Sequence, residues 1–219
     1  DHNLAIINNE FYFFEEKKIN DKNGDYILQV FKKIPQNILY LFLTDEKTGT
    51  YSNKAFILLL NKYLRNKHSI ILCFFDMDNF KQINDTYGHE VGDEVLYTIA
   101  KLFKHNIKEK DMLCRFGGDE FLLGFIDIDV DFVYHRVREI MDKIQNGITL
   151  ENGEKLYPTL SMGITQYDST KSYDFNLAVA DGVRSLATGG KSHTVKDLQI
   201  FEGDQIRGYT SVRFGRRVL

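Results

Sequence analysis

Apolar residues along the chain follow two different rhythms, and their alternation predicts the elements. Residues 70–75, Ile-Ile-Leu-Cys-Phe-Phe, form a continuous apolar run that reads as a buried strand. Before it, Ala55, Phe56, Leu59, Leu60, Tyr63 and Leu64 form a helical stripe with Ser52 as its N-cap. After it, a short helix at 79–87 is stopped by Gly88. A longer helix at about 89–107 turns Val91, Val95, Ile99, Leu102 and Phe103 inward. Strands near 112–117 and 120–127 make a hairpin. A helix near 129–145 repeats Val130, Val133, Val137, Ile140, Met141 and Ile144 at period 3.6. Residues 148–166 read as two strands joined through Asn152-Gly153, a hairpin signal. A helix near 173–187 and a strand near 195–201 follow. Strands interleaved with helices imply an α/β (α+β) sandwich around one central mixed sheet.

The first 43 residues do not continue this alternation. Phe11-Tyr12-Phe13-Phe14 suggests a strand, and Asp21 to Asp25 a turn with Asn23-Gly24 at its tip. Tyr26, Leu28, Val30, Phe31, Ile34, Ile38, Leu39 and Phe42 have roughly helical spacing, interrupted at Pro35. Residues 1–43 are therefore expected to be the end of a regulatory region plus a connecting helix. Residues 44–203 are expected to be one domain, and 204–219 a C-terminal tail.

Composition narrows the function classes. With 43% hydrophobic residues and 2 prolines, a full core is expected and no long disordered linker. A formal net charge of −3 without a basic stripe argues against an extended nucleic-acid footprint, but allows a mononucleotide. Cys73 and Cys114 both fall in strand-like apolar runs, as buried thiols of a reducing, cytoplasmic compartment do. No apolar run reaches the length that spans a membrane. The first residue is Asp1 rather than Met, so a piece of a longer protein is expected, with any sensor or membrane module upstream.

Candidate chemistry sits at two acidic sites. Residues 115–121 read Arg-Phe-Gly-Gly-Asp-Glu-Phe: bare backbone followed at once by two carboxylates, at the tip of the expected hairpin. Upstream, the strand at 70–75 ends in Asp76-Met77-Asp78. Taken singly, the first is a solvated acidic turn and the second a pair of helix caps. Jointly, a carboxylate at a strand end and another at a hairpin tip suit a Mg²⁺–triphosphate, because Mg²⁺ takes one or two carboxylates and completes its shell with phosphate oxygens.

These residues resemble the GGDEF family of diguanylate cyclases. The stretch Asp76-Met77-Asp78-Asn79-Phe80-Lys81-Gln82-Ile83-Asn84-Asp85-Thr86-Tyr87-Gly88-His89-Glu90-Val91-Gly92-Asp93 carries every fixed letter of the family's Asp-x-Asp-x-Phe-Lys-x-x-Asn-Asp-x-x-Gly-His-x-x-Gly-Asp motif. Residues 44–53 resemble its Asp-x-Leu-Thr-Gly-Leu-x-Asn-Arg segment, with Lys47 in place of the leucine and Lys54 in place of the arginine. Ser161-Met162-Gly163 resembles its Ser-x-Gly strand. The likeness covers roughly 44–201 and implies the palm-like fold shared with adenylyl cyclases and polymerases.

It also implies an activity: two GTP joined into cyclic di-GMP with release of pyrophosphate, dependent on Mg²⁺ or alternatively Mn²⁺, in a homodimer that brings two sites face to face. By resemblance, Asp76, Asp119 and the Met77 carbonyl hold metal, and Asp119 or Glu120 takes the proton, with Asp119 favoured. Asn84, His89, Asp93, Phe80, Lys81, Gly117 and Gly118 fall at substrate-contact positions. Asp78 is a helix cap or a group behind the ligands, and Arg115 a structural partner of nearby carboxylates. Two departures matter. The family's last helix ends with a lysine and an arginine for the triphosphate, but Thr188 and Ser192 stand there, with Lys191 as the nearby cation. The family's inhibitory Arg-x-x-Asp site becomes Lys108-Glu109-Lys110-Asp111, and lysine lacks the planar fork of arginine. Feedback inhibition is therefore expected to be weak or absent. The rival readings are a non-catalytic module that binds GTP or a partner, and a related cyclase that uses ATP or mixed nucleotides.

Overall fold

The computed structural model describes residues 3–7, 10–22, 24–35, 39, 43–187 and 209–214. It divides into two units, Asp1–Thr44 and Asp45–Leu219.

The first unit is an antiparallel meander of β1 (Asn3–Ile7), β2 (Glu10–Asp21) and β3 (Gly24–Lys33), in that order. The helix expected from Tyr26 onward is therefore corrected over 26–33: this stretch is strand. Tyr26, Leu28 and Val30 lie on one face of β3 and Ile27 and Phe31 on the other, as period two requires. Apolar residues at both parities imitated a helical stripe, and all ten positions of β3 are exposed, so no buried face marked the true period. Phe31 stacks on Phe14 of β2 with ring centroids 5.5 Å apart, a cross-strand pair that fixes the register.

The second unit is built on six strands in the order β11-β10-β5-β7-β6-β4. These are β4 (Tyr51–Ser52), β5 (Ile70–Met77), β6 (Met112–Gly117), β7 (Glu120–Ile126), β10 (Leu160–Gln166) and β11 (Tyr209–Phe214). Only β4 runs parallel to its neighbour, β6. Central β5 is apolar on both sides because helices cover both faces of the sheet. On one face lie α1 (Asn53–Arg65) and α5 (Tyr173–Ala187), packed over Phe74, Leu72 and Leu122. On the other, α3 (His89–Asn106) and α4 (Val130–Gln145) pack over Cys73, Phe75 and Leu123. Between β5 and α3 comes α2 (Phe80–Tyr87).

Segment 148–166 departs from expectation. The hairpin around Asn152-Gly153 joins two short strands, β8 (Ile148–Thr149) and β9 (Lys155–Leu156), in a sheet of their own. The long strand β10 is separate and pairs with β5 instead. The strand expected at 195–201 lies outside the described residues. Part of the expected tail, 209–214, is β11, paired antiparallel to β10.

Candidate functional site

The ladder itself assembles the site. Asp76, the seventh residue of β5, lies directly opposite Glu120 on β7 and Ser161 on β10. Residues opposite one another in antiparallel strands project to the same face, so these three side chains share one. The β6–β7 hairpin turns through Gly118, at φ +54°, and Asp119, placing the second carboxylate beside Glu120.

Electrostatics mark this cluster as tense. Burial pushes the Asp76 carboxyl above its ordinary range, and Asp78 and Asp119 push the same way against the opposing pull of Arg184. Burial likewise raises Glu120, reinforced by Asp119, Asp181 and Asp76. Asp76 Oδ2 accepts a hydrogen bond from Arg184 Nη1, while Asp76 Oδ1 is buried and has no hydrogen-bond partner among the described residues. A buried carboxylate oxygen left open is where a hard cation fits. Among the described residues no three Asp, Glu, His or Cys side chains converge to hold an ion. Two carboxylates suffice, however, for an ion that arrives with phosphate oxygens of its own.

Asp78 does not cap α2. That position belongs to Asn79, in the left-handed region at φ 57° and without a side-chain cap bond. Instead Asp78 Oδ1 accepts from the Ser161 hydroxyl at 2.7 Å, which explains the serine of the Ser-Met-Gly stretch. The glycine has its own reason: a Cβ on Gly163 would lie 2.1 Å from the Ala180 carbonyl oxygen and 2.6 Å from the Arg184 nitrogen. Helix α5 thus rests backbone-to-backbone on β10, which brings Arg184 over the sheet to Asp76.

Arg115 is structural, as expected, and joins two loops. Its Nε and Nη2 donate to the Gly118 carbonyl at 2.9 and 2.7 Å, and Nη1 reaches Asp45 at 3.3 Å. Asp45 in turn accepts from the Thr48 amide and hydroxyl at 2.9 and 2.7 Å. The turn before β4 is thereby tied to the tip of the acidic hairpin.

Comparison with known proteins shows the family. Residues 42–184 match the family described as diguanylate cyclase, GGDEF domain. The chain belongs to the GGDEF family. Its GGDEF domain is 31% identical over 113 residues to diguanylate cyclase DosC of Escherichia coli strain K12, covering 51% of this chain and 25% of that protein. It is 29% identical over 153 residues to diguanylate cyclase A of Treponema denticola, covering 67% and 40%. Among solved structures, diguanylate cyclase SiaD of Pseudomonas aeruginosa, in complex with its activator SiaC, superposes with a TM-score of 0.63 at 27% identity, over 70% of this chain and 60% of that one. The GGDEF domain of DgcB from Caulobacter crescentus, in complex with c-di-GMP, does so with a TM-score of 0.61 at 25% identity, over 68% and 92%. The chain spans well under half the length of these two curated relatives.

Within this GGDEF domain the remaining expected positions fall in two groups. Asn84 is tucked against α3, where a Cβ on Gly92 would meet its Oδ1 at 1.9 Å, and Asp93 follows directly. Lys47, foreign to the motif, donates to both Asp93 oxygens at 2.8 and 2.6 Å. His89 and Lys81 are exposed, and Phe80 packs on the core beside Ile83 and Val91. Met77 is buried at the end of β5, and Gly117 ends β6. Asp111 is buried: its Oδ2 accepts from the Lys108 amide at 2.9 Å and its Oδ1 from the Ile126 amide at 3.1 Å, so its carboxylate serves the fold. Lys191, Thr188 and Ser192 lie outside the described residues. Sequence reading missed Arg184, whose only signal is a charge on a helix that otherwise buries Ala180 and Val183 beside it.

Proposed function

We propose that the domain condenses two GTP into cyclic di-GMP with release of two pyrophosphates, using Mg²⁺, in a dimer that faces two sites together. One observation carries this reading: Asp76 opposes Glu120 across the ladder, beside Asp119 at the hairpin tip, with one Asp76 oxygen buried and open. Asp76 and Asp119, with the Met77 carbonyl, would hold the metal, which supplies Lewis-acid charge at the phosphate and lowers the cost of deprotonating a hydroxyl. The 3′-hydroxyl of each nucleotide attacks the α-phosphorus of the other, and the P–O bond to pyrophosphate breaks. A carboxylate takes the hydroxyl proton. Asp119 and Glu120, adjacent at the hairpin tip, are the candidates for that acceptor, with Asp119 favoured. Gly117 and Gly118 leave the hairpin backbone open to phosphate, and Asn84 and Asp93 take the guanine edge.

The test is incubation of the purified protein with GTP and Mg²⁺ and identification of the product by mass. Cyclic di-GMP is expected from the unmodified protein. Asp119→Asn and Glu120→Gln should lose at least about a hundredfold in turnover, the usual scale for a proton-transfer group. Full turnover in both would refute the assignment.

A second reading, a module that binds nucleotide without turnover, is favoured by two contacts: Arg184 on Asp76 and Lys47 on Asp93. GTP binding without any dinucleotide product would select it.

A further inference from the structure

The acidic cluster carries its own cation. Arg184 projects from α5 with its guanidinium 5.3 Å from the centre of the Phe74 ring, and its side chain is only 14% exposed. Its Nε and Nη2 donate to Asp181 Oδ1 at 2.9 and 2.6 Å, one helical turn back, and its Nη1 donates to Asp76 Oδ2. The side chain is therefore held at two ends, one within its own helix and one on β5.

We propose that Arg184 is the resident counter-cation of this cluster. It occupies Asp76 when no divalent ion is present and must yield that carboxylate before an ion is bound firmly. This rests on the reading of Asp76 as a metal ligand, and deepens it. A guanidinium and a divalent ion on one carboxylate repel each other across a few ångströms of half-buried site, where salt screens poorly. Asp181 is the tether. It keeps the guanidinium near after Asp76 is released, so the exchange needs a side-chain rotation rather than a movement of α5. Such a site has low affinity for a bare ion and discriminates in favour of one that brings compensating phosphate charge. An ion pair that merely fastened α5 to the sheet would contribute to stability and leave metal affinity unraised by its removal.

The experiment measures Mn²⁺ binding without nucleotide, from the loss of the free-ion electron paramagnetic resonance signal. It compares the unmodified protein with Arg184→Met, Arg184→Lys and Asp76→Asn. Arg184→Met should bind Mn²⁺ at least about tenfold more tightly, the scale on which one neighbouring charge alters proton binding by a carboxylate. Arg184→Lys, which keeps the charge, should remain close to the unmodified protein. Equal or weaker Mn²⁺ binding by a folded Arg184→Met overturns the inference. Should that variant fail to fold, the unmodified protein decides: the guanidinium NMR signals of Arg184, assigned by their absence in Arg184→Lys, should change as Mg²⁺ saturates the site. Unchanged signals at saturation overturn the inference equally. Asp76→Asn separates the two levels of the argument. Loss of Mn²⁺ binding there, with no gain in Arg184→Met, removes the inference alone. Retained Mn²⁺ binding in Asp76→Asn removes the metal assignment beneath it.

Discussion

Asp45 shows how much one exposed-looking acid can organise. Its carboxylate holds the Thr48 amide, the Thr48 hydroxyl and the Arg115 guanidinium together. Burial alone would raise its pKa, but the Thr48 hydrogen bonds and Arg115 outweigh burial and hold it below the ordinary value. A depressed folded-state pKa means stability that is complete above the unfolded value, near 4, and lost as pH falls through the folded one. Asp45→Asn should therefore cost about 1–2 kcal/mol at pH 7, with the difference from the unmodified protein shrinking below about pH 4. Urea unfolding at pH 7 and pH 3 measures both. In the proposed function, base choice rests on a single residue, Asp93. Guanine offers two donors on one edge and a carboxylate accepts both, whereas adenine would set a lone pair against Asp93. GTP should bind about ten- to a hundredfold more tightly than ATP, and Asp93→Ser should narrow that gap, as read by titration of both nucleotides. Equal affinities in the unmodified protein would remove Asp93 from this role.

At the scale of elements, the close seat of α5 on β10 is the most sensitive joint. Gly163→Val would drive side-chain carbons into the Ala180 carbonyl and the Arg184 amide, so α5 must lift. A loss of about 3 kcal/mol or more is expected, at the upper end of overpacking penalties, together with loss of the Arg184–Asp76 contact. Denaturant midpoints would show it. The same joint illustrates what the sequence discloses. Elements with one clean buried stripe, α1, α3, α4 and α5, were legible to within a residue or two, and so was β5, because burial on both faces leaves an unbroken apolar run. Strand β3 was not, since apolar residues at both parities on an exposed strand carry no period. Strand β10 was misjoined because Asn152-Gly153 announced a hairpin, and nothing local shows that the next strand pairs with β5 instead. Of the candidate site, the acidic cluster that the structure brings together, Asp76, Asp119 and Glu120, was legible from its motifs. Arg184 was not, because its partner Asp76 lies 108 residues away and only the packing of α5 joins them.

At the scale of the whole molecule, the proposed condensation, between two nucleotides held by two copies of one site, requires association. Specific activity at saturating GTP should rise with protein concentration and level off once the dimer is complete. A flat profile accompanied by a monomeric sedimentation coefficient would exclude the two-site mechanism. The sheet that carries the site has a further property. Cys73 and Cys114 are free, fully buried and held far above the ordinary thiol range by desolvation, so neither reacts while the domain is closed. They lie on opposite faces of the sheet, Cys73 beneath α3 and α4, Cys114 beneath α1 and α5. The two thiols are thus a pair of clocks, one for each helical layer. With either cysteine replaced by alanine, the labelling rate of the other by a thiol reagent times the opening of its own layer. Equal rates would mean that the layers part together, and unequal rates would reveal which one breathes first.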